Sequence, residues 1–235
     1  MFDRKAIKER GKAAFKKNYW MSVAVAFVMG LFVSGTAGVT FNSRTTFNGT
    51  TTEVTVDSNM TLTDEQTAAL AAIVIGGLAT IGIIAFVAHT LIANPIEVGG
   101  RRFFRKNATD QATPFAVMAE GFQNYGHVVV TMLLRDVFVM LWSLLFVIPG
   151  VMKAYSYRMV PYIVKDNPEI APMDALALST KMMKGSRWQT FVMDLSFLGW
   201  MILGTITFNL GNIFWTSPYM NAADAELYLE LKNRA

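Results

Sequence analysis

Four stretches of this chain are long, apolar and nearly free of charge. Residues 19–40 and 68–93 contain no Asp, Glu, Lys or Arg, while 126–151 and 189–215 carry only Arg135, Asp136 and Asp194. An apolar run of about 20 residues is long enough to cross a bilayer core of ~30 Å. In hydrocarbon a spanning backbone must satisfy its own hydrogen bonds, so only helices or a closed barrel suit it. Runs of this length read as helices. The fold class expected is all-α: one polytopic integral membrane domain over residues 1–235.

The balance of side chains agrees. Of the 235 residues, 53% are hydrophobic and 16% charged, against roughly 25% charged in soluble domains. A net charge of +4 would suit nucleic acid, but the basic residues sit beside apolar runs and read as topology signals facing an anionic inner leaflet. No nucleic-acid partner is expected. The chain has no cysteine, which excludes disulfides, thiolate metal sites and a Cys nucleophile.

Residues 1–18 place Ile7, Ala14 and Phe15 near one face and Lys and Arg on the other, the pattern of a helix lying on a membrane surface. The first apolar run is longer than a signal-peptide core, so it reads as a retained span. Gly30, Ser34 and Gly38 recur at four-residue spacing, as do Ala68, Ala72 and Gly76, which predicts close packing of the first two spans. Between them, 41–67 reads as a polar outer loop rich in Thr and Asn. It holds a possible hairpin at Asn48-Gly49 and sequon-like triplets at Asn48 and Asn59.

After the second span come Asn94-Pro95, the basic run Arg101-Arg102-Phe103-Phe104-Arg105-Lys106 and a short surface helix at 115–123. A span over 128–147 stops at the turn signal Ile148-Pro149-Gly150. A third surface helix covers 173–184 and ends in Lys184-Gly185-Ser186-Arg187-Trp188. The last span breaks near Asn209-Leu-Gly211 and returns into a tail helix.

These pieces suggest an internal repeat. Trp142 precedes Pro161-Tyr162 by 19 residues with a Pro-Gly turn between, and Trp200 precedes Pro218-Tyr219 by 18 with a Gly-containing turn between. A first unit would have its turn expanded into the Thr-rich loop, with Pro95 in the place of Pro161. The expected layout is six membrane segments in three hairpins, each preceded by a short amphipathic surface helix. The segments are 1–18, a first hairpin 19–93, a cytoplasmic stretch 94–125, a second hairpin 126–165, a surface helix 166–188, a third hairpin 189–220 and a cytoplasmic tail 221–235. With both ends cytoplasmic, inner segments hold 17 Lys and Arg and the outer loop one, Arg44, as the positive-inside rule requires. A four-span layout would put six basic residues on the wrong side. The weak element is 150–165, about 24 Å long as a helix, which either spans or is re-entrant.

Within this layout Arg135, Arg158 and Asp194 lie about 7–12 Å above the inner boundary by helix rise, with Asp136 beside them. Two acids and two bases at one depth can pair, relieving a cost of about 2.5–3.5 kcal/mol for each unpaired charge at the bilayer centre. This polar layer is the candidate site, with a structural clamp and a functional group both open. Lys153 is expected to snorkel outward, and Tyr155, Ser156, Tyr157 and Tyr162 to add polar groups to the fourth segment, at least two of them as aromatic interface anchors. His89, lacking a nearby acid in sequence, is expected to be packed or interfacial. No metalloprotease, phosphate-loop or nucleophile-elbow motif is present, so neither enzyme, metal nor cofactor is expected.

The run Ile148-Pro-Gly-Val-Met-Lys-Ala-Tyr-Ser-Tyr-Arg-Met-Val-Pro-Tyr162, together with Met182-Met-Lys-Gly-Ser-Arg-Trp188, Asp194-Leu-Ser-Phe-Leu-Gly-Trp200 and Trp215-Thr-Ser-Pro-Tyr219, resembles a bacterial family, domain-of-unknown-function family 975. The N-terminal Lys-Lys-Asn-Tyr-Trp20 matches loosely. The resemblance implies an all-helical integral membrane protein and makes Pro149, Gly150, Tyr155, Pro161, Tyr162, Gly185, Trp188, Pro218 and Tyr219 a structural motif. It implies no activity. The function expected is a non-catalytic membrane helper or scaffold that binds protein partners or lipids. The alternative is a small transporter or channel component for a solute, peptide or lipid. Membrane lipids, a membrane-protein partner and further copies of the chain are the expected partners, in the cell membrane.

Overall fold

A computed structural model describes residues 2–33, 64–109, 113–207 and 209–234, and among these every regular element is helical. In chain order they are α1 (Arg4–Lys17), α2 (Tyr19–Val33), α3 (Asp64–Ala88), α4 (Asn94–Thr109), α5 (Tyr125–Leu145), α6 (Val147–Ser156), α7 (Val160–Asp166), α8 (Pro172–Met182), α9 (Arg187–Ile206) and α10 (Ser217–Lys232). A 3₁₀ turn covers Phe115–Phe122, and π turns cover His89–Ala93 and Asn212–Thr216. Three helical stretches, Ile75–Thr109, Tyr125–Leu145 and Arg187–Ile206, are long and apolar enough to cross a membrane; Tyr19–Phe32 is apolar but shorter.

Three helices form the centre, and each opens on a proline. Pro161 stands in the first turn of α7, where the missing N–H costs no hydrogen bond, and Pro95 and Pro218 each follow a π turn that leads into α4 and α10. In α4 the run from Asn94 to Gly100 is buried, in α7 Val160 to Val164, and in α10 Ala222 to Tyr228. Tyr162 of α7 stacks on Tyr228 of α10 with ring centroids 4.7 Å apart. So 94–109 and 221–232, expected as a cytoplasmic stretch and a tail, are core helices. The π turn before Pro95 and the one before Pro218 each carry the helix through.

The three short helices expected on a membrane surface turn their apolar faces to the protein instead. Asp3 caps α1, accepting from the Lys5 and Ala6 amides at 2.8 and 3.4 Å. The α1 face of Ile7, Gly11, Ala14 and Phe15 packs on α10, so closely that a Cβ at Gly11 would sit 2.8 Å from the Ala223 backbone. The 3₁₀ turn buries Val117, Met118 and Gly121 against α4, and α8 buries Ala175, Leu176, Ser179 and Met182. Amphipathic periodicity records one apolar face and is blind to whether lipid or protein covers it.

Two further expectations change. Gly30 and Gly76 have no heavy atom within 4 Å of where a Cβ would stand, so these glycines do not bring the first two spans together. Instead α2 packs on α4, with Met29 against Gly100, and the described α3 side chains are exposed. The turn after α5 falls at Phe146 (φ −156°), ahead of Pro149 and Gly150, which lie in the first turns of α6. There Gly150 fits against Ser143. Residues 150–165 are not one helix: α6 is 10 residues, about 15 Å, and Tyr157–Met159 separates it from α7. The break near Asn209 does occur, with φ 67° at Asn209. The possible hairpin at Asn48 and the sequon at Asn59 lie outside the described residues, as do Ser34 and Gly38; Asp64–Thr67 is already helical.

Glycine separates α4 from the 3₁₀ turn by almost nothing. A Cβ at Gly99 would collide with the Met118 carbonyl oxygen, and one at Gly121 with that of Pro95. Gly99→Ala is therefore expected to destabilise the protein by about 1–3 kcal/mol through overpacking. Gly76→Ala, in open space, is expected to leave it within about 1 kcal/mol. Thermal unfolding in detergent measures both, and equal effects would contradict the packing described.

Candidate functional site

Sequence reading singled out four charges inside apolar runs, and all four belong to one connected chain. Arg158, in the turn before α7, grips Asp194 of α9 with both terminal nitrogens, at 2.5 and 3.0 Å. Its second nitrogen also reaches Asp224 of α10 at 2.6 Å. Arg135 and Asp136, neighbours on α5, pair at 2.7 Å. The two pairs are joined through residues that the sequence placed outside the membrane. Arg135 bonds Glu97 of α4 at 3.0 Å, Arg101 lies one turn on from Glu97 at 3.9 Å, and Arg101 bonds Asp224 at 2.8 Å.

The chain continues at both ends. Asn94 donates to Asp136 at 2.8 Å, and His89 Nε2 stands 4.0 Å from the same carboxylate. At the other end the Tyr155 hydroxyl donates to Asp194 at 2.8 Å. His89 is thus close to an acid that is distant in sequence, and Tyr155 serves the charge chain. Tyr162 is buried, with Arg101 5.8 Å over its ring. Lys153 lies over the rings of Trp142 and Tyr157, at 5.0 and 5.6 Å.

Seven charged members of this charge chain and His89 line a cavity of about 930 Å³, together with the apolar Gly82, Ala85 and Phe86 of α3 and Val139 and Met140 of α5. Four carboxylates (Glu97, Asp136, Asp194, Asp224) face three guanidiniums (Arg101, Arg135, Arg158), leaving one negative charge in excess when His89 is neutral. Asp136 and Asp194 are the more open acids, and Glu97 and Asp224 the more buried. The remaining motif residues are dispersed. Tyr219 packs its ring on Phe197 at 5.0 Å, Pro218 starts α10, Pro149 borders a small cavity with Trp142 and Arg187, and Gly185 takes φ +79°. Trp188 is 72% exposed and stacks on Phe191.

A second group closes the far end of the central helices. The Asp166 side chain, 4% exposed, accepts from Arg102 at 3.0 Å, Tyr228 at 2.8 Å and Lys232 at 2.5 Å, and pairs with Arg105 at 3.2 Å. Arg102 and Lys106 also reach Glu120, at 3.2 and 2.6 Å. The basic run 101–106, expected to face a leaflet, is engaged by the protein's own acids. Burial by itself would raise the Asp166 carboxyl, but hydrogen bonds from Lys232 and Tyr228 and the charges of Arg105 and Lys232 outweigh it. The result is a carboxyl held below its ordinary range.

The sign follows for acid stability. A carboxyl depressed in the folded state contributes stability above its unfolded value, about pH 3.9, and loses it as pH falls through the folded value. Asp166→Asn should therefore lower the melting temperature at pH 7 and flatten the drop seen below about pH 4. Arg158→Met, which leaves Asp194 and Asp224 without their shared cation, is expected to cost about 3–5 kcal/mol. Replacing the exposed end of the network, Lys232→Ala, should cost under about 1 kcal/mol.

No curated protein and no solved structure matches this chain. One family model does, that of the "Protein of unknown function (DUF975)" family, and it covers residues 1–235. The apolar helices, the buried charge chain and the proline-led core are thus the features of a chain that belongs to the DUF975 family.

Proposed function

We propose that this chain is a non-catalytic helper of the cell membrane that holds the polar head of a lipid or other amphiphile in the charge-floored cavity. The observation that carries the reading is the mixed lining of that 930 Å³ space, charged and apolar side by side. A polar head would meet the fixed charges of the lining, and an acyl or alkyl tail its apolar members Phe86, Val139 and Met140. The excess carboxylate favours a head bearing a positive group, whose charge the Asp136 and Asp194 oxygens would complement. Unpaired charge away from water is costly, so the cavity prefers that head to an anionic one.

In this reading the chain crosses the membrane six times in three hairpins, with both ends cytoplasmic. Support comes from Lys165, which donates to the Gln123 carbonyl at 2.8 Å and so brings the α6–α7 arm back to the start of α5. Further support comes from α10 returning beside α9, with Tyr219 against Phe197. The repeated unit is then a rising helix, a turn and a descending arm whose inner half opens on Pro95, Pro161 or Pro218. Exposed apolar helix faces, α3 above all, serve lipid, a protein partner or a second copy.

A transporter for the same class of molecule is the second reading, favoured by the position of His89 within a π turn at the cavity wall; such turns recur at functional sites. Extraction in native-membrane nanodiscs followed by lipid analysis tests the first reading. Retention of an amine-headed lipid above its bulk share, lost in a folded Asp136→Asn/Asp194→Asn variant, is the expected result. Bulk composition in both proteins would sink it. Movement of a labelled amine-headed lipid across reconstituted liposomes would move the assignment to transport.

A further inference from the structure

Lys153 and Arg187 belong to neither charge network. Along the central helices the guanidiniums of Arg101, Arg102, Arg105, Arg135 and Arg158 each pair with a carboxylate. Lys153 and Arg187 form no ion pair among the described residues. The Lys153 ammonium lies over the rings of Trp142 and Tyr157, at 5.0 and 5.6 Å. The Arg187 Nε is buried without a hydrogen-bond partner among the described residues. Both side chains border one cavity of about 180 Å³.

Most of that cavity belongs to α6. Pro149, Met152, Lys153 and Ser156 recur every three or four residues and so share one helix face. Trp142 of α5 and Arg187, the first residue of α9, complete the lining, which contains no carboxylate. Ser156 donates its hydroxyl proton to the Met152 carbonyl at 2.6 Å, leaving the ammonium and the guanidinium to meet a ligand. Two like charges bordering one space repel, more strongly where the surroundings are apolar, as Trp142, Pro149 and Met152 are. An anion between them turns both interactions favourable. Phosphate suits the pair, because its oxygens accept from guanidinium and ammonium together. On the same short helix Val147, Ile148, Val151 and Met152 are exposed, a surface fit for the tail of a phosphate-bearing lipid. Trp188, next to Arg187, is 72% exposed, as aromatic anchors at headgroup level are. Basic pockets between membrane helices take anionic heads in this way.

We infer that Lys153 and Arg187 form a binding site for a phosphate-bearing anion, either the head of an anionic lipid or a free phosphate ion, with the apolar skin of α6 favouring the lipid. The site shares no lining residue with the larger cavity and carries the opposite sign, so it stands whether or not that cavity holds an amine head. The test is thermal unfolding of the full chain in dodecyl maltoside with added phosphatidylglycerol, phosphatidylcholine or inorganic phosphate, since a ligand of the folded state raises the melting temperature. Phosphatidylglycerol is expected to raise it more than phosphatidylcholine, whose choline neutralises its own phosphate. The lipid concentration at half the rise should increase roughly tenfold in Lys153→Gln and in Arg187→Gln, the loss of one hydrogen bond between charged groups. Lys153→Arg should retain binding, and so should Asp136→Asn/Asp194→Asn, which separates this site from the larger cavity. Either Gln variant suffices if the other fails to fold. A rise of the same size with inorganic phosphate, weakened by the same substitutions, assigns the free ion. Equal rises with the two lipids, no rise with any ligand, or a rise that survives both Gln substitutions overturns the assignment.

Discussion

The structure depends on two carboxylates buried between arginines at the meeting of α4, α7 and α10. Asp224 receives Arg101 and Arg158, and Asp166 receives Arg102, Arg105 and Lys232. Each acid ties together helices far apart in sequence, and the Tyr162–Tyr228 stack fills the space between them. An apolar chain has little to direct one greasy helix against another when lipid surrounds it. Directional charge pairs supply that direction, because each is costly to leave unmade. The peripheral helices α1, α2 and α8 then wrap a centre whose geometry is already fixed.

Much of this was legible in the sequence. Arg135, Arg158 and Asp194 stood out because each interrupts an apolar run, and the pairing of Arg158 with Asp194 followed from their shared depth. Glu97, Arg101 and Asp224 were not legible for the opposite reason. They sit in charged neighbourhoods that look cytoplasmic, beyond the ends of the apolar runs. One signal was available: Glu97 and Arg101 are four apart, as helical partners are, in a stretch that also carries Ile96, Val98 and Phe103.

Other elements were read with the right pattern and the wrong surroundings. The faces of α1 and α8 are amphipathic as expected, but protein covers them, since periodicity holds no information on the covering phase. The Lys-Gly-Ser-Arg segment was noticed only as punctuation. The left-handed Gly185 within it, φ +79°, turns the chain from α8 into α9.

The π turn at His89–Ala93 holds one residue more than an α-helical turn would need. That surplus makes the joint between α3 and α4 a vernier. Were the extra residue to pass back along α3, each residue that it passed would turn by about 100° and shift by about 1.5 Å relative to α4, the increments of one helical residue. The Gly82, Ala85 and Phe86 wall would swing away from the cavity, and His89 would leave Asp136. The charged floor, held by α4, α5 and α10, would stay where it is. A single surplus residue thus stands between the register of the charged floor and that of the α3 side chains beside it.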